Sequence, residues 1–103
     1  MKLRIPSKLK VGGTTYKIIK DYKFIERFDL IGQIENLKCE IRLQSNDGSG
    51  KFNHDRKLQI FIHELLHAID YVYNANKFKD DDDTIERLSQ GLYQVLKDNK
   101  LYA

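Results

Sequence analysis

The chain has 103 residues, 41% of them hydrophobic, and its 18 Lys and Arg against 15 Asp and Glu give a net charge of +3. That length predicts a single domain over residues 1–103 with a thin core, and 11% aromatic with 32% charged residues excludes a disordered, collagen-like or low-complexity chain. The lone cysteine, Cys39, excludes an internal disulfide, and no apolar run is long enough for a signal peptide or a membrane span, so a cytoplasmic protein without membrane contact is expected.

The first half of the chain reads as strands. Leu9 to Val11 leads through Gly12-Gly13 into Thr14 to Ile19, and paired glycines between such runs signal a tight turn. Lys2, Lys8, Lys10, Lys17, Lys20 and Lys23 gather here. With no nucleic-acid motif beside them they read as a solvated face rather than a phosphate-binding surface. Asp21 to Arg27 fits either a loop or one helical turn. Strands resume at Leu30 to Ile34, turn near Glu35-Asn36, and continue from Lys38 to Leu43. In that last run Cys39, Ile41 and Leu43 alternate with Lys38, Glu40 and Arg42, which predicts one buried face and makes Cys39 core filler.

A polar loop from Gln44 to Asn53 marks a change of period. Leu58, Phe61, Ile62, Leu65, Ile69 and Val72 recur at helical intervals, predicting a helix from about Asp55 to Tyr73. Ile85, Leu88, Leu92, Val95 and Leu96 predict a second from about Thr84 to Asp98. Strands followed by helices give an α+β fold, a small N-terminal sheet packed with two helices.

The first helix carries one polar stripe, Arg56, Gln59, His63, His67, Asp70 and Asn74, on an otherwise apolar cylinder. Such a stripe costs free energy to bury unless something satisfies it. Within it lies His63-Glu64-Leu65-Leu66-His67, an H-E-x-x-H motif. Spacing of i, i+4 stacks two imidazoles one turn apart, where they reach a single ion, while Glu64 points aside toward a metal-bound water. With three His and five Glu in the chain, random order produces this motif with a chance of ~0.3%, so a zinc site, one Zn2+ per chain, outweighs two histidines bonding to nearby carbonyls.

A catalytic zinc needs a third protein ligand and an open position. His54 lies nine residues before His63, well over ~10 Å away along a helix. Asp70 and Tyr73 stand where a metzincin would have Gly and a third His, so that extension is absent. Glu86, on the second helix, is the favoured ligand, although Asp83-Thr84-Ile85-Glu86 also reads as a cap with its third-position partner.

His63, Glu64 and His67 with a downstream helical Glu86 resemble the gluzincin metallopeptidases. More closely, the chain resembles the minigluzincins, small relatives from archaea and phage-like genomes. The likeness covers Ile5-Pro6, Val11-Gly12-Gly13 with Tyr16, the Leu30–Leu43 strands, His63 to Ile69, and Glu86-Arg87-Leu88 through Asp98-Asn99. It implies a sheet whose edge strand aligns a peptide or protein substrate above an active-site helix, followed by a glutamate helix. It also implies latency, with the cleft blocked by the chain itself. Many gluzincins have Asp four residues after the ligand Glu as a partner for a ligand His; Gln90 stands there, a weaker partner.

In such a site Glu64 would act as general base toward zinc-bound water. Tyr93 and Tyr71 are the candidates for stabilising the oxyanion, and Asp70 could orient a ligand imidazole or pair with Arg87. The tail Lys100 to Ala103 is too short to return to its own zinc, so a blockade by the tail would be self-association between molecules. Two other functions share the motif: a zinc-bearing regulatory module without turnover, and a phage-type DNA-associated protein with structural zinc, which the single cysteine disfavours.

Overall fold

A computed structural model of the protein describes residues 4–22, 32–44 and 52–100. Four strands, β1 (Lys8–Val11), β2 (Thr14–Ile19), β3 (Gly32–Glu35) and β4 (Glu40–Leu43), precede two helices, α1 (His54–Tyr73) and α2 (Asp82–Asn99). The expected α+β arrangement is present. No helix among the described residues is long and apolar enough to cross a membrane.

The sheet order is β1-β2-β4-β3, with β2 and β4 parallel and the two outer pairs antiparallel. Gly12 turns β1 into β2 at φ +62, and a Cβ there would stand 2.8 Å from Val72 Cγ1, so both conformation and space call for glycine. Tyr16, Ile18, Ile41 and Leu43 form the buried face, while Lys8, Lys10 and Lys17 are exposed, as the alternation predicts. The Tyr16 hydroxyl donates to Asn36 Oδ1 at 2.8 Å.

Cys39 departs from its expected place. It lies in the turn before β4, in the left-handed region at φ +54, half-buried against the core. Glu35 and Glu40 are directly paired, so the chain must reverse within residues 36–39 and Cys39 closes that turn, its N–H bonded to Asn36 O at 3.2 Å. The strand expected from Leu30 is described from Gly32. Most of the Asp21–Arg27 and Gln44–Asn53 segments, and the tail beyond Lys100, lie outside the described residues.

Asn53 caps α1, accepting from Arg56 N at 2.8 Å. The helix buries Leu58, Phe61, Ile62 and Ala68 in the core. Its polar stripe divides near the end. Asp70, 4% exposed, accepts from Asn74 Nδ2 at 2.8 Å and from Phe78 N at 3.0 Å, and its carbonyl accepts from Asn74 N and Asn76 N. It therefore neither orients an imidazole nor pairs with Arg87, which instead meets Asp83 at 2.8 Å. The turn held by Asp70 sends α2 back along α1, so that Lys97 meets Asp55 at 3.4 Å.

The cap of α2 is Asp81, which accepts from Thr84 N at 3.1 Å and Thr84 Oγ1 at 2.7 Å. The helix thus starts at Asp82, earlier than the apolar pattern indicates, because that pattern begins only at Ile85. Glu86 is consequently not the partner of a cap at Asp83. Replacing Asp70 with alanine strands two partly buried donors, Asn74 Nδ2 and Phe78 N, and is expected to lower stability by about 1–3 kcal/mol, read from the urea midpoint.

Candidate metal centre

Two turns of α1 and the first two turns of α2 bring together the imidazoles of His63 and His67 and the carboxylates of Asp82 and Glu86. Both Nε2 atoms converge on one oxygen, Asp82 Oδ1, each at 2.9 Å. His63, His67 and Asp82 form a group whose donor atoms lie within 4.8 Å of one another, close enough to hold a metal ion. Two imidazoles and a carboxylate are a donor set that suits zinc.

Glu86 meets the other face of His63, its Oε2 2.7 Å from Nδ1. Gln90 binds Glu86 rather than a histidine, donating from Nε2 to Glu86 Oε1 at 3.0 Å. The expected ligand is therefore in the site but outside the convergent group, in the position from which a carboxylate fixes the tautomer and orientation of a ligand histidine.

Sequence reasoning did not single out Asp82. The signal was there: Asp82 and Glu86 are four residues apart and share a helix face.

The remaining candidates lie elsewhere. His54 opens α1 and is exposed, away from the cleft. Tyr71 is 39% exposed and does not line it. Tyr93 is buried in the core near Asp55 and Lys97, and it does not line the cleft. Neither tyrosine is placed to steady an oxyanion.

Glu64 lies beside the histidines at the bottom of a cleft of about 540 Å³. It is 7% exposed, and burial pushes its carboxyl from the usual 4.5 up to about 7, the carboxylates of Asp82 and Glu86 adding to the rise and His63 opposing it. Burial would depress His63, but Glu64, Asp82 and Glu86 together raise it. Partial burial would raise Asp82, yet the bonds from His67 and His63 hold it below the usual carboxylate range.

β3 forms the opposite wall through Gly32, Gln33 and Ile34. A Cβ on Gly32 would stand 2.8 Å from Ile60 Cγ2 and 3.1 Å from Glu64 Oε2, so glycine lets this outer strand lie directly over the carboxylate. In comparisons with known proteins, no family model, curated protein or solved structure matches the chain.

A carboxyl whose folded pKa exceeds its unfolded one is free of penalty below the lower value and bears all of it above the higher. Stability of the metal-free protein should therefore fall by about 3 kcal/mol as pH rises from 4.5 to 7, with raised His63 extending the decline. Denaturant titrations across that window should show it, and Glu64→Gln should remove most of it.

Proposed function

We propose that the chain is a zinc-dependent peptidase that hydrolyses internal peptide bonds, with one zinc per molecule. The observation that carries this reading is the convergence of the His63 and His67 imidazoles on one carboxylate, close enough together to hold a metal ion, with the buried carboxyl of Glu64 beside them in the same cleft. Further support comes from the H-E-x-x-H motif and from the resemblance to the minigluzincins.

On this reading His63, His67 and Asp82 hold the metal, and Glu86 steadies His63 through Nδ1. Zinc, when bound, acidifies water and polarises a carbonyl. Glu64 removes a proton from the attacking water and delivers it to the leaving amine. The outer edge of β3, its backbone groups unpaired by any described strand, lines up an extended substrate beside Glu64.

A second assignment, in which Glu86 is the third ligand as the resemblance implies, is favoured by its side chain being 43% exposed against 75% for Asp82. Zinc titrations separate the two. His63→Ala and His67→Ala should each abolish tight binding. Asp82→Ala should cost more affinity than Glu86→Ala, and the reverse order makes Glu86 the ligand.

Elemental analysis combined with a peptide-library digest tests the activity itself. Glu64→Ala should keep its zinc and lose roughly 10²–10⁴-fold in rate. Equal cleavage by this variant and wild type would overturn the mechanism. A zinc-bearing protein with no cleavage in either form would be a binding module.

A further inference from the structure

The upper part of the α1 polar stripe is only partly accounted for by a metal. Arg56 lines the same cleft as His63 and His67, and so does Lys79, from the connection between the helices. These two are the cations of the cleft wall among the described residues, apart from the histidines; its carboxylates are Glu64, Asp82 and Glu86.

The carboxylates are already engaged. Asp82 binds both imidazoles, Glu86 binds His63 and Gln90, and Glu64 is buried at the bottom. Among the described residues the cations have no such partners. The Arg56 guanidinium lies over the Phe52 ring, 5.9 Å from its centroid, and meets no carboxylate among the described residues. Its planar fork of N–H donors remains available for a carboxylate. Lys79 is exposed and likewise forms no ion pair among the described residues; its backbone N–H is tied to Asn76 O at 3.3 Å in the turn anchored by Asp70.

The two cations stand at opposite ends of the cleft. Arg56 is seven residues before His63, about 10 Å along the helix axis. Lys79 belongs to the turn hung on Asp70, three residues beyond His67. From Arg56 to Asp70 is about 21 Å along the axis, the length of about six extended residues. A peptide laid in the cleft along the α1 axis thus meets positive charge toward each end and the His63–Glu64 pair between.

We infer that the cleft selects acidic peptides, with Arg56 and Lys79 each receiving a carboxylate side chain about two to three residues from the bond beside Glu64. This specificity rests on the peptidase reading. Exposed ion pairs contribute modestly and are screened by salt, so together the two amount to a preference of about five- to tenfold at low ionic strength.

The test uses three fluorogenic octapeptides with one neutral centre and Asp or Glu, uncharged, or Lys residues toward both ends. Zinc-loaded wild type should show the highest kcat/KM on the acidic peptide, and added salt should shrink the difference. Arg56→Glu with Lys79→Glu should reverse the order, favouring the lysine peptide. Both side chains are exposed at the rim, and thermal melts check that the variants fold.

Fluorescence anisotropy with the metal-free protein reads binding without turnover. Salt-sensitive binding of the acidic peptide, lost in the double variant, upholds the inference even if nothing is cleaved, and in that case the peptidase reading fails. Cleavage with no charge preference overturns the inference and leaves the peptidase reading standing. Absence of acidic-peptide binding, or tighter binding of a single-stranded oligonucleotide than of the peptide, also overturns it.

Discussion

The buried carboxylate of Asp70 sets the geometry of the remainder. A charge on an inward helix face must be matched by donors, and here the donors come from the next eight residues of the chain. By drawing Asn74 and Phe78 to one carboxylate, Asp70 ends α1 and folds the connection back. Ala75 and Asn76 adopt positive φ there, 54° and 58°, conformations that cost non-glycine residues about 1 kcal/mol or more each. The bonds to Asp70 offset that strain. Asp82 thereby arrives level with His63 and His67, and Lys79 arrives at the end of the cleft.

Around the two imidazoles, similar carboxyl groups acquire different properties from position alone. Asp82 is at the surface, bonded to two rings, and stays ionised to lower pH. Glu64 is buried against Ile60 and the sheet, and holds its proton to about 7. Both ring nitrogens of His63 face carboxylates, which favours its doubly protonated form until a metal takes the place of a proton. Burial, more than residue type, separates the carboxyl that keeps its proton from the one that stays ionised.

The sheet contributes through one missing side chain. Gly32 allows β3 to approach Glu64 so closely that a methyl group would displace Ile60. That approach excludes water from one side of the carboxyl and places a strand edge along the cleft. The desolvation of Glu64 and the strand edge beside it therefore depend on the same contact.

Much of this was legible in the sequence because it depends on local periodicity. The change from alternation to helical spacing after Leu43 specified the α+β class and both helices, and His63, Glu64 and His67 are adjacent on one helix, so their common face follows from 3.6 residues per turn. Long-range geometry was not legible. Four consecutive aspartates are equivalent as caps until the turn from Asp70 selects Asp81, and that selection places Asp82 on the imidazoles and Glu86 on Nδ1. Tyr93 shares a helix face with Glu86, yet two turns along α2 set it about 10 Å from that carboxylate, where it packs into the core. Cys39 has the alternation of a strand, yet the pairing of Glu35 with Glu40 forces it into the turn. The sequence by itself determined the helices, the strands and the paired histidines, since these rest on contacts a few residues apart. Only the tertiary structure decided which carboxylate meets which nitrogen, because that depends on how two helices are set against each other by a turn.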